Sequence, residues 1–292
     1  MAVGSIALDQ VETPQGNRQD ILGGSAMYFA VAASLFAPVR LVGVVGSDYP
    51  EEGWQLFRSN GVDTRDVQQA DGHTFRWGGR YSADLSTRET LYTHLGVFES
   101  FQPSLCEQNK STEIVYLANI QPSLQLAICT QATGAQNIIS DTMNLWIDLN
   151  REELDLVLQK TNIFLINDEE AAQLTGLNDP QDAAEWLLAA GPTAVVIKQG
   201  SQGALLATGN LRRYIPVYPY AEVIDPTGAG DSFAGGLIGH IASQKETDLV
   251  AAVINGAATA SYTVEGFGLE GLLQATTESI HRRGITIQSL ME

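Results

Sequence analysis

The stretch Asp225-Pro226-Thr227-Gly228-Ala229-Gly230-Asp231 gathers residue types able to do chemistry, and helix-forming residues follow it from Ser232 to Ile241. Small residues at 228–230 let the backbone turn tightly and bring consecutive N–H groups to one point. Those groups stand at a helix N-terminus, where unpaired donors and the positive end of the dipole favour an anion. Asp231 then sits beside a prepared anion site. A carboxylate so placed can orient an attacking hydroxyl and take its proton, as phosphoryl transfer requires. A turn that simply ends in an N-capping aspartate would use the same residues.

A second group lies between residues 74 and 94. Phe75, Trp77 and Tyr81 alternate with Arg76 and Arg80, and Arg88 follows. In a strand this gives an aromatic face and a basic one. The basic face suits an anionic group on a substrate, and suits equally a solvated hairpin paired with Asp84 and Glu89. The aromatic face suits covering a sugar or base, or meeting a second subunit. Other short patterns fail on context. Gly266-Phe267-Gly268-Leu269-Glu270-Gly271 follows a helix rather than a strand, so it is no dinucleotide fingerprint. Gly230-Asp231-Ser232-Phe233 lacks a histidine base at hydrolase spacing, and the four histidines and two cysteines show no metal spacing. No Gly-x-x-x-x-Gly-Lys-Ser/Thr loop is present.

These residues need a scaffold, and the apolar pattern supplies one. Val3–Leu8, Leu41–Gly46, Ile114–Leu117, Asn137–Ser140, Ile163–Ile166 and Ala194–Lys198 read as buried strands. Helical patterns run over Ser25–Phe36, Glu152–Gln159, Glu169–Thr175, Asp182–Ala190, Ser232–Ser243 and Asp248–Tyr262. Strands alternating with helices predict an α/β fold with a mostly parallel central sheet and helices on both faces. Thr74–Tyr81 and Glu89–His94, joined by Ser82–Thr87, break the alternation. They predict a β-hairpin lid around 72–95, an excursion from a single domain spanning 1–292. Gly203–Ala207 and Leu211–Tyr214 predict a second hairpin.

Composition narrows the partners. Lys+Arg total 16 and Asp+Glu 34, a net charge of −18, which disfavours nucleic acid and anionic membrane surfaces. Hydrophobic residues make up 44%, enough for a sizeable core. Two cysteines, Cys106 and Cys129, fit a reducing compartment. The charge-free stretch Ile21–Val39 is too rich in Gly, Ser and Ala for a membrane span. Asp9, Glu12 and Asp20 stand where a signal peptide would be basic. A cytoplasmic protein is expected.

Five segments in order resemble the PfkB (ribokinase-like) family of carbohydrate and nucleoside kinases. They are Gly4-Ser5-Ile6-Ala7-Leu8-Asp9, Gly23-Gly24 before an Ala-rich helix, Asn167-Asp168-Glu169-Glu170, Val196-Ile197-Lys198-Gln199-Gly200 with Gly203, and the 225–231 stretch. The resemblance covers nearly the whole chain and implies a ribokinase-like fold with a small β lid. It implies an ATP-dependent phosphotransferase acting on an alcohol of a sugar, sugar phosphate or nucleoside. A nucleoside kinase specifically, or a catalytically silent nucleotide-binding regulator, are the alternatives.

The same resemblance assigns roles. Asp231 would be the catalytic base, and the amides of Gly228, Ala229 and Gly230 would stabilise the migrating phosphoryl group. Asn167 and Glu170 would hold Mg²⁺ through water, and their spacing also suits a helix capping box. Asp225 would lie near metal or acceptor, or serve as a turn aspartate. Thr227, Lys198, Gly200 and Gly203 would contact ATP, and Asn255, with Gly256 and Ala257, would border the adenine. Asp9 would accept hydrogen bonds from acceptor hydroxyls, with Gly23 and Gly24 as hinge. Tyr28 stands where the family often has asparagine, and Asp141-Thr142-Met143-Asn144-Leu145-Trp146 lacks the family's arginine; both depart from a simple ribokinase pattern. Arg76 would meet an anionic acceptor. A monovalent cation is left open, and the open edge of the lid suggests a homodimer formed through it.

Overall fold

The computed structural model describes residues 1–291. In chain order the strands are β1 (Ala2–Val3), β2 (Ala7–Thr13), β3 (Gly16–Gly23), β4 (Arg40–Gly46), β5 (Asp63–Ala70), β6 (Phe75–Tyr81) and β7 (Arg88–His94). They continue as β8 (Ile114–Leu117), β9 (Asn137–Ser140), β10 (Ile163–Asn167), β11 (Ala194–Lys198), β12 (Ala204–Thr208) and β13 (Arg212–Ile215). Nine form the main sheet in the order β13-β12-β11-β10-β9-β8-β1-β4-β5. It is parallel from β11 to β5, and β12 and β13 close the other edge as the expected antiparallel hairpin.

The central strands are apolar on both faces because both faces are covered. In β10, Ile163 and Leu165 join one core while Phe164 and Ile166 join another. β4 divides likewise, with Leu41 and Val45 on one side and Val42 and Val44 on the other. On the first side, helix Ser25–Ser34 packs against helix Ala229–Ser243, with Gly235 close to Ala32 and the Phe29 carbonyl. Glycine at that crossing lets the two backbones approach, and the approach sets the start of one helix beside the start of the other.

The expected strand Val3–Leu8 is two strands in different sheets. The chain leaves the main sheet at Ser5, whose carbonyl accepts the Ala26 amide (2.9 Å) and whose hydroxyl accepts the Ser25 amide (3.1 Å). The first turn of helix Ser25–Ser34 thereby finds acceptors for its amides. From Ala7 the chain joins the lid. The lid is a four-stranded sheet, β3-β2-β6-β7, in which the expected hairpin forms one half and residues 7–23 the other.

Candidate active site

The functional side chains gather at the carboxyl ends of parallel strands, where open α/β sheets bind ligands. Asn167 ends β10 and Lys198 ends β11, directly opposite each other in the ladder. Asp141 follows β9. Lys198 Nζ donates to Asp141 Oδ2 at 2.8 Å, and their side chains are 17% and 5% exposed. Burial alone would lower the Lys198 pKa, but Asp141 and Glu170 outweigh it and the net shift is upward. Nζ stands 3.3 Å from where a Cβ on Gly230 would lie, so the ammonium faces the 228–230 turn.

That turn begins at Gly228, whose φ of 74° is left-handed and whose Cα packs so closely on the Tyr28 ring that a side chain would strike it. Ala229 N donates to the Pro226 carbonyl at 3.2 Å, and Thr227 N to Asp225 Oδ1 at 2.9 Å. Among the described residues the amides of Gly228 and Gly230 have no such backbone acceptor. Two open donors, rather than the expected three with Ala229, form a cradle at the head of the fifteen-residue helix Ala229–Ser243, where a helix end favours an anion. Asp225 is fully buried, and its Oδ2 accepts the Gly268 amide (3.0 Å), tying the 266–271 loop to the cradle.

Asp231 opens this helix. Burial, then the charge of Asp141, pushes its carboxyl up to about 7, with Lys198 and Arg88 opposing. Asp9, at 4% exposure, is pushed to about 7 by burial, with the Gly24 amide opposing and the charges of Asp231 and Asp225 adding to it. The Cα of Gly23 packs directly on the Asp9 carboxylate, leaving no room for a Cβ there. Gly24, at φ 89°, caps helix Ser25–Ser34. Tyr28 is 1% exposed, and its buried hydroxyl has no hydrogen-bond partner among the described residues. Burial raises its pKa, and Asp9, Asp225 and Asp231 add to the shift. The hydroxyl therefore faces the same acidic space as Asp9 and Asp231.

Asn167 and Glu170 form a complete capping box. Asn167 Oδ1 accepts the Glu170 amide at 2.8 Å, and Glu170 Oε2 accepts the Asn167 amide at 3.0 Å. Burial and Asp141 push Glu170 up to about 7. Three carboxylates, Asp141, Glu170 and Asp231, thus share one region with Lys198. This acidic excess of hard oxygen donors fits Mg²⁺. No three His, Cys, Asp or Glu side chains among the described residues converge to hold an ion unaided.

The lid closes over this region from one side. Tyr81 on β6 meets Thr227 with a hydroxyl–hydroxyl distance of 3.1 Å, joining the lid to the residue before the cradle. Trp77 lies across the Cα of Gly79 on the same face, and Phe75 packs on Phe98 at 5.9 Å between ring centroids. Arg76 bonds to Asp20 and Asp48, and Arg80 to Glu12. The remaining expected residues have structural partners. Asn255 donates to the Gly236 carbonyl at 2.7 Å between the two long helices. Gly200 (φ 52°) starts a short turn that ends at Gly203, whose carbonyl accepts the Gln199 amide at 2.7 Å. Sequence reading passed over Asp141 as a partner for Lys198, and Tyr81 as a contact of Thr227.

Residues 3–275 match the pfkB family of carbohydrate kinases. The chain belongs to this family. Its relatives include the cytidine kinase of Thermococcus kodakarensis, 30% identical over 82% of this chain and 86% of the relative. The nucleoside kinase of Methanocaldococcus jannaschii is 25% identical over 96% and 95% of the two chains. The structure of a Burkholderia thailandensis nucleoside kinase in complex with inosine has the same fold, with a TM-score of 0.83 at 20% identity over 98% and 96% of the chains. This pfkB-family enzyme is an ATP-dependent kinase of a sugar or nucleoside alcohol. No helix among its described residues is long and apolar enough to cross a membrane.

Proposed function

We propose that the acceptor is a nucleoside, phosphorylated on a sugar hydroxyl by ATP. One observation carries this reading: the lid presents Trp77 and Tyr81 to the body and fastens at Thr227, so an aromatic wall covers the space near Asp9 and Asp231. A flat base stacks on such a wall, whereas a free pentose has no face of that size. The names of two relatives, cytidine kinase and nucleoside kinase, support the same class.

In this reading Asp9 accepts hydrogen bonds from adjacent sugar hydroxyls, and the unpartnered hydroxyl of Tyr28 lies within the same acidic space. Asp231 takes the proton of the attacking hydroxyl. A carboxyl raised to about 7 is a stronger base than an ordinary aspartate while still ionising near neutrality. The amides of Gly228 and Gly230 receive charge from the migrating phosphoryl group, and Lys198 adds a cation beside them. Asn167 and Glu170 would hold Mg²⁺ through its waters, and the ion would neutralise phosphate charge. Gly23-Gly24 and the Tyr81–Thr227 contact shut the site against water. The edge strands β3 and β7 support a dimer formed through the lid.

ADP release measured across nucleosides, pentoses, hexoses and their phosphates tests the proposal. A nucleoside should give the highest kcat/KM, by about tenfold or more over any free sugar. A free pentose or hexose at the top of the series would refute it.

A further inference from the structure

Two of the three arginines on the β6–β7 hairpin are neutralised and one is not. Arg76 has Asp20 and Asp48, and Arg80 has Glu12 at 2.7 Å and Glu89 at 3.8 Å. Among the described residues no carboxylate lies within 4.0 Å of the Arg88 guanidinium. It rests instead over the Trp77 indole, 5.1 Å from the ring centroid, on an exposed residue. Of the three arginines on this hairpin it alone is left without an acid, in a chain of net charge −18.

The ladder fixes which way Arg88 faces. It stands directly opposite Tyr81 in the β6–β7 pairing, and directly opposed side chains share one face of a sheet. Tyr81 is the residue whose hydroxyl meets Thr227. Trp77 lies on that face too, whereas Arg76 and Arg80 alternate to the other. Arg88 therefore belongs to the face that looks toward the cradle. Its charge is felt at Asp9, Glu170 and Asp231, in each case opposing the effect of burial. These three carboxyls come from separate parts of the chain, and the proposed function gives each a part in the transfer.

We propose that Arg88 is a catalytic residue carried by the lid, its guanidinium contacting the equatorial oxygens of the phosphoryl group in flight. The proposal rests on the kinase reading above. In that step the acceptor oxygen forms the new O–P bond and its proton passes to Asp231. The bond from the γ-phosphorus to its bridging oxygen breaks, and the electron pair leaves on ADP. Charge then lies on oxygens that a planar, five-donor guanidinium can meet in pairs. Lys198 is less able to supply this alone, because Asp141 holds its ammonium at 2.8 Å. Since the arginine rides on the lid, transfer would depend on closure, and water entering an open site would meet an incomplete one.

Steady-state kinetics of Arg88→Ala, Arg88→Lys and Arg80→Ala, using the best acceptor from the panel, test the role. Arg88→Ala should lower kcat by about 10²–10³-fold and move the KM of ATP and acceptor by less than about threefold. Arg88→Lys should recover roughly a tenth of the wild-type rate. Millimolar guanidinium ion should restore turnover to Arg88→Ala, which a purely structural role would not allow. Arg80→Ala should stay within about twofold of wild type, since its charge is already paired. A kcat for Arg88→Ala within about threefold of wild type would overturn the proposal. So would a loss confined to the acceptor KM, or a lowered kcat that guanidinium leaves untouched. Wild-type protein that releases no ADP with any acceptor would instead refute the kinase reading itself.

Discussion

Gly23→Ala should disable the acceptor site while sparing the nucleotide site. The backbone at Gly23 is not left-handed, so alanine meets no conformational penalty there. The added methyl would overlap Asp9 Oδ2 and Cγ and stand 3.1 Å from Oδ1. Asp9 is 4% exposed, and its carboxylate has to swing away by roughly 1 Å or more. Losing one or two hydrogen bonds from that carboxylate, at about 1.5–3 kcal/mol each, lowers kcat/KM for the acceptor by about 10–10⁴-fold. The KM of ATP should move by less than about threefold. Steady-state kinetics with each substrate varied in turn reads this directly. The double variant Gly23→Ala/Asp9→Ala sharpens it, because removing the Asp9 carboxylate makes room for the methyl. Its activity should match Asp9→Ala alone, and its melting temperature should exceed that of Gly23→Ala. Additive losses, or an unchanged acceptor KM in Gly23→Ala, would refute the contact and the role of Asp9 together.

Other perturbations bear on the remaining parts of the site. Tyr81→Phe removes the 3.1 Å contact with Thr227 at about 1 kcal/mol, so acceptor kcat/KM should fall about fivefold and the share of ATP lost to hydrolysis should rise; equal partition in both proteins would count against the lid contact. Lys198→Met leaves Asp141 buried without its cation and should cost about 3–5 kcal/mol in denaturant unfolding. Adding Asp141→Asn should restore much of that stability but not ATP affinity, and recovery of both would remove Lys198 from the nucleotide site. Asp9, Glu170 and Asp231 all titrate near 7 in the folded chain, well above their ordinary values, so they favour folding below about pH 4 and lose that contribution as pH rises through 7. The nucleotide-free protein should melt lower at pH 8 than at pH 5, while kcat/KM rises over the same interval as Asp231 ionises. A melting temperature that climbs across that range would contradict the assigned burial.

The central strands were legible because β4, β10 and β11 are covered on both faces and run apolar throughout. β3 and β5 are edge strands with much of their length facing water, and segments such as Asn17-Arg18-Gln19-Asp20 carry no apolar signal. The division of Val3–Leu8 was hidden for another reason. It depends on Ser5 being drawn to the amides of a helix twenty residues later, which no local pattern records. At the site, the spacing of Asn167 and Glu170 suited the capping box that they form, and the small residues at 228–230 indicated the turn before Asp231. The pairing of Lys198 with Asp141 joins residues 57 apart in the chain, and the contact of Gly23 with Asp9 depends on the lid ladder. Arg88 differs from Arg76 and Arg80 through the face of the hairpin it occupies and through acids at 12, 20 and 48, which lie outside the hairpin.

Turnover and ATP affinity of Asp231→Asn test the central assignment most directly. Asparagine keeps the shape of the side chain and cannot take a proton. The account predicts a kcat lower by about 10²–10⁴-fold with the ATP dissociation constant within about threefold of wild type. A variant that turns over within about tenfold of the parent would show that the proton leaves by another route and that Asp231 is not the base.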